Sequence, residues 1–195
     1  TSIFDGIYGT CPYKSPTDMG VNMIGYCISD DDVCRESAKQ EIIRRYYTAL
    51  NKMALGAMNE TAVNKIRLLM QQAHISTDDR VTTVAAKKRA QETNEECSAI
   101  PLSDGTMITA GSSVLLGTCA SLLLNALKHL AGIDHSVKLI SQDFIEPIQK
   151  TKVDYLGGNN PRLHMDEVLV ALSVLSLNDV NCRRALAMLP ELNGL

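Results

Sequence analysis

Neither half of this sequence carries an excess of one charge. It has no CxxC pair, no GxxxxGK[ST] or GxGxxG phosphate loop, and no HExxH zinc spacing. The 19 basic and 22 acidic residues divide as 12 against 13 through Glu96 and 7 against 9 after it. That leaves no basic stripe for nucleic acid. The missing glycine motifs remove the common phosphate-cradling folds, and the missing HExxH removes the familiar zinc hydrolases. Six cysteines, Cys11, Cys27, Cys34, Cys97, Cys119 and Cys182, are too few and too scattered for a disulfide framework. Read as thiols, they fit the cytoplasm. The triplet Asn59-Glu60-Thr61 is a formal glycosylation acceptor, but no signal peptide accompanies it. Nor is there a low-complexity stretch or the composition of disorder: 45% of the 195 residues are hydrophobic and 21% charged, enough to bury a core.

One uncharged stretch, Gly105 to Leu127, tests the membrane question because Val114-Leu115-Leu116 and Leu122-Leu123-Leu124 lie inside it. Its hydroxyls and Asn125, together with a strand-and-turn pattern in its first part, make it a buried core helix rather than a span.

The first 30 residues are rich in glycine and proline and read as ordered turns. Asp30-Asp31-Asp32 then opens a helix that ends near Gly56, with Ile42, Ile43, Tyr46, Tyr47, Leu50, Met53 and Ala54 forming an apolar stripe. A second helix follows Asn59 and runs to about His74, burying Val63, Ile66, Leu69 and Met70. A third follows Ser76, with Asp79 completing a capping arrangement, and ends near Glu92. Character changes at Asn94 to Glu96. Ser98 to Leu102 and Thr106 to Ala110 flank the Ser103-Asp104-Gly105 turn as a β-hairpin. Gly111-Ser112-Ser113 is expected to open the apolar helix, which stops at Gly132. Val137 to Ile140 reads as a short buried strand, and Pro147 as the first turn of a new helix. Helices over Met165 to Leu177 and Val180 to Leu189 close the chain, the last stopped by Pro190.

Two polar concentrations stand out. Tyr13 to Asn22 gathers Lys14, Ser15, Thr17, Asp18 and Asn22 in a proline- and glycine-braced loop. These groups either converge on a polar ligand or satisfy their own backbone as turn caps. Asn159 to Glu167 brings Asn160, Arg162, His164, Asp166 and Glu167 to the start of an apolar helix. Its acids complement the helix dipole, or Arg162 and His164 meet an anion. Too few ligands are present for a metal. Gly111-Ser112-Ser113 reads as an N-cap or a weak anion cradle, and Glu146 as a cap or a base. His129 and His135 read as dipole partners or surface residues, and Cys119 as a buried, unreactive thiol.

Ser15 to Met23, Lys39 to Tyr47, Leu123 to Ile133, Ile145 to Lys150 and Asn160 to Leu169 together resemble a bacterial family catalogued as Domain of Unknown Function 1846, or uncharacterised protein family 0371. The likeness covers essentially the whole chain. It implies that the chain is a piece of a longer protein whose N-terminal half carries a glycine-rich, P-loop-like stretch and whose tail extends past Leu195. Any nucleotide link would belong to that half, and the family brings no established reaction and names no cofactor. Relatives carry a basic residue where this chain has Gly111-Ser112, which weakens an anion site there. The resemblance also implies a three-layer α/β unit beside a helical subdomain. The fold expected is therefore α+β and predominantly helical: a loop plus three helices over 1–95, then a small three-layer unit over 96–195 with a short sheet and a buried central helix.

Two functions follow as expectations. In the first, this is the C-terminal region of a cytoplasmic ligand-binding enzyme. Lys14 and Arg162 would hold a small anion, Asp18 and His164 would act as acid and base, Asn22 and Asn160 would orient substrate, and Thr17 and Glu146 would complete the binding set. In the second, the chain is a non-catalytic assembly module that packs on the missing N-terminal half or on a second subunit. Neither involves nucleic acid or a membrane. Separated, internally bonded loops would favour the second.

Overall fold

A computed structural model describes residues 30–194; Lys14, Thr17, Asp18 and Asn22 lie outside the described residues. The fold is α+β and predominantly helical, and it divides into two compact units at Arg80/Val81.

In the first unit, helix α1 (Asp31–Ala54) begins where the Asp30 carboxylate accepts the backbone N–H groups of Asp32 and Val33 at 3.0 and 3.1 Å. Asn59 caps α2 (Glu60–Gln72) in the same way through Ala62 N–H. The two helices bury Ile42, Ile43, Met70 and Ile75, with Tyr46 packed against them. Leu69, expected inside, is 42% exposed, because the buried edge of α2 runs through Val63 and Met70 instead. Ser76 and Asp79 do form a capping box, but on a single 3₁₀ turn, Thr77–Asp79. The third α-helix starts only at Val81.

On the exposed face of α1, Glu41 accepts from both Arg44 and Arg45 at 2.7 to 2.9 Å. The hydrogen bonds from those guanidinium groups lower its pKa to about 2. A carboxyl held below its unfolded value stabilises the fold above the unfolded pKa and loses that contribution as pH falls through the folded one. The Glu41→Gln chain should therefore differ from the parent at neutral pH and converge with it between about pH 4.5 and pH 2. Acid titration of helicity by circular dichroism reads the difference; curves that stay parallel below pH 2 would remove Glu41 from the linkage.

The second unit starts with α3 (Val81–Thr93), which lies against an antiparallel hairpin of β1 (Cys97–Pro101) and β2 (Met107–Gly111). Cys97 pairs with Gly111 and Pro101 with Met107. At the turn, Gly105 takes φ +83°, and Asp104 accepts Thr106 N–H at 2.8 Å. Helix α4 (Thr118–Leu130) also packs on both strands, while α3 and α4 make no comparable contact with each other. Two helices on one hairpin without packing together take opposite faces, which gives three layers. Grouping α3 with the first helical module, as the sequence suggests, misses this packing.

Beyond the hairpin come α5 (Gln142–Asp154), α6 (Met165–Leu175) and α7 (Val180–Ala187). Leu127, Leu163, Val168, Leu172 and Ala185 are fully buried at their junction with α4. Four expectations change here. Helix α4 begins at Thr118 with Gly117 at its N-cap, not at Ser112, because Ser112 N–H is spent on the Glu96 carbonyl at 2.9 Å. Val137 to Ile140 is buried at Leu139 and Ile140 without being a strand; side chains take its carbonyls in place of a ladder. Pro147 is the sixth residue of α5, and the carbonyl it leaves without a partner belongs to exposed Asp143. The last helix ends at Ala187 rather than Leu189, and Pro190 sits beyond it in a 3₁₀ turn, Leu189–Leu192. Among the described residues no helix is long and apolar enough to cross a membrane.

Candidate functional site

Three places in the second unit gather chemistry. The first is the polar segment found in the sequence. Gly157 takes φ +72° after α5, and a Cβ on Gly158 would come within 2.9 Å of Lys152 Cγ. The turn therefore needs glycine where it passes Lys152. Asn160 Oδ1 accepts Arg162 N–H at 3.1 Å. Lys152 Nζ donates to the Arg162 carbonyl at 2.8 Å and to Glu167 Oε2 at 2.9 Å, and the same oxygen accepts His164 N–H at 2.7 Å. Leu163 exchanges backbone hydrogen bonds with Leu115 and Gly117, forming a parallel bridge opposite Leu116. Asn160, Arg162 and His164 thus share one segment, whose backbone is held by Asn160 and Glu167 from within and by Lys152, Leu115 and Gly117 from outside. Glu146 is on α5, accepting Gln142 Nε2 at 2.6 Å one helical turn away.

The second is a mixed cleft of about 380 Å³ between β2, α4 and the 133–142 loop. Lys128 comes from α4, 9% exposed, with Nζ donating to the His135 and Val137 carbonyls at 2.8 and 3.4 Å. Burial pushes its ammonium below the usual lysine range, and the Asp134 carboxylate opposes that shift. Gly132, at φ +62°, turns the chain after α4 and lets Ile133 N–H reach the Lys128 carbonyl at 2.9 Å. Ser113 Oγ accepts the N–H groups of Leu115 and Leu116 at 3.2 and 3.0 Å. Sequence reasoning missed Lys128. The available signal was a lysine one turn beyond Leu124 on the buried stripe of an apolar helix, where an unpaired charge rarely sits. His129, beside it, lies 3.6 Å from Asp104.

The third is an open, almost wholly apolar groove of about 680 Å³ lined by Ile100, Leu122, Leu169, Leu189, Leu192 and Cys119, among others. Cys119 was expected to be buried, but it is exposed on the first turn of α4. The buried thiol is Cys182, which donates to the Leu139 carbonyl at 3.0 Å and whose pKa burial raises to about 11. Helix α6 adds exposed Val170 and Val174. Among the described residues no three His, Cys, Asp or Glu side chains are grouped to hold a metal.

Residues 1–74 match the family model described as "Domain of unknown function DUF1846, N-terminal", and residues 78–195 match "Domain of unknown function DUF1846, C-terminal". The junction falls close to the division at Arg80/Val81. The chain is 51% identical over 193 residues to a UPF0371 protein of Corynebacterium aurimucosum and 45% identical over 192 residues to one of Streptococcus thermophilus. These alignments cover 99% and 98% of this chain, and it spans 39% of the length of either relative.

Proposed function

The chain belongs to the family known as domain of unknown function 1846, and on that footing we propose that it works as a non-catalytic assembly module of a longer, cytoplasmic protein. Its open groove would be covered by the portion of that protein outside this chain. The groove carries the reading: it is open and almost wholly apolar, and residues of β1, α4, α6 and the C-terminal turn converge on it with almost no polar group to offer a polar substrate. Most of the relatives' length lies outside the aligned region, so an intramolecular occupant has ample chain to come from. The Asn160 side chain supports the same reading, because it is spent on the Arg162 N–H at the turn before α6, and the backbones of Arg162 and His164 are held by Lys152 and Glu167. The enzyme reading keeps Asp18 and His164 as acid and base, with Lys14, Thr17, Asn22, Glu146, Asn160 and Arg162 as its binding set. It would need Arg162 and His164 to act through side chains while their backbones hold the turn.

Cys119 provides the test. In this chain alone its thiol should be alkylated well ahead of Cys182, whose burial and raised pKa leave almost no thiolate at pH 8. In a full-length family member with cysteine at the equivalent position, mass-mapped labelling of that site should be strongly suppressed. Equal labelling in the short and full-length chains would overturn the proposal. Protection that grows with the concentration of the short chain would replace the intramolecular occupant with a second copy.

A further inference from the structure

We propose that the cleft around Lys128 binds a small organic anion, its charged end met by Lys128, Lys138 and Ser113 and its apolar body lying against Leu116, Leu124 and Ile145. The cleft lies apart from the groove and is lined by different residues. The inference therefore goes beyond the assembly role, and either can fail alone.

The lining is one-sided in charge. Lys128 and Lys138 contribute to it, no aspartate or glutamate lines it, and the Asp134 carboxylate acts on Lys128 from beside the cleft. A smaller cavity of about 300 Å³ shares Asn125, Lys128 and His135 and again includes no carboxylate. A chain with more acidic than basic residues would not produce that bias on average. The donors are also available. A lysine ammonium has three N–H groups, and Lys128 spends two on the His135 and Val137 carbonyls. The Ser113 oxygen accepts two backbone N–H groups, so its own hydrogen is directed elsewhere. Lys138 is exposed and has no ion-pair partner among the described residues. Charge-assisted bonds, here from the anchored Lys128 and the exposed Lys138, are what selects an anion over a neutral molecule of the same shape. The remaining wall is apolar, and about 380 Å³ falls in the range of small-molecule sites.

The experiment titrates the full chain with phenyl phosphate, inorganic phosphate and benzyl alcohol, following calorimetry and melting temperature together. Phenyl phosphate should bind, inorganic phosphate more weakly, and benzyl alcohol least. Lys138→Ala, a change at an exposed side chain, should weaken phenyl phosphate about three- to fivefold, as the loss of one exposed charge contact would. Lys138→Glu should weaken it further while leaving benzyl alcohol unchanged. Lys128→Met tests the buried ammonium directly, and the Lys138 pair keeps the test decisive if that variant does not fold. Equal binding of phenyl phosphate and benzyl alcohol, no binding of phenyl phosphate up to about 10 mM, or indifference to both Lys138 substitutions would each overturn the site.

Discussion

Leu127→Ala should destabilise the second unit by about 3 to 4 kcal/mol, whereas Leu122→Ala, five residues earlier on the same helix, should cost less than about 1.5 kcal/mol. Leu127 is fully buried in the cluster where α4 meets α6 and α7, with Leu163, Val168 and Leu172 all at zero exposure. Three helices share that site, so none can shift to fill the space without losing packing elsewhere, and the cavity term is added to the transfer term. Leu122 instead lines the open groove, where truncation exposes little that was dry. Urea unfolding followed by circular dichroism should show the Leu127→Ala midpoint falling with an unchanged slope. Similar losses for the two leucines would mean that the groove is closed in this chain. A loss below about 1 kcal/mol at Leu127 would mean that the core is not centred on α4.

Sequence signals read well where a side chain acts within three or four residues of itself. Asp30 on Val33 and Asn59 on Ala62 cap helices as their letters suggest, and Ser76 with Asp79 forms its capping box, though on a 3₁₀ turn. The hairpin is legible because its turn residues and β-formers lie within fifteen positions. What escaped depends on distant partners. The start of α4 slides from Ser112 to Thr118 because residues 112 and 117 are taken by Glu96 and Leu163. The segment 137–140 is buried without being a strand because Cys182, 43 residues away, takes the Leu139 carbonyl. Cys119 is exposed because no other element covers that turn of an otherwise buried helix, and composition of the helix alone gives no hint of it. For the candidate site, Asn160, Arg162 and His164 were recognisable as a polar cluster. Their roles were not, since Lys152, which holds the Arg162 carbonyl and the Glu167 carboxylate, comes from the preceding helix.

Glu167→Ala should cost about 2 to 3 kcal/mol, and Glu167→Gln about half as much. One carboxylate oxygen does two jobs here: it accepts the Lys152 ammonium at 2.9 Å and the His164 N–H at 2.7 Å. The side chains are only 12% and 26% exposed, so the pair is far better shielded than a surface salt bridge. Alanine removes both bonds, leaving a mostly buried ammonium with only the Arg162 carbonyl and an α6 terminus without its cap. Glutamine keeps an oxygen for His164 N–H and loses only the charge. Lys152→Met, which preserves the stem, should lie between them because Glu167 can still cap the helix. Combining Lys152→Met with Glu167→Gln should cost less than the two losses added together, since neither then faces an unpaired partner. Thermal unfolding of the four variants gives the ordering. Calorimetry with phenyl phosphate adds a second axis: this pair braces the 157–167 turn and lines no part of the Lys128 cleft, so affinity should stay unchanged in every variant that folds. Additive losses in the double variant would reduce the pair to two independent surface contacts, and the Asn160 to His164 segment would then depend on the Leu116–Leu163 bridge alone for its position.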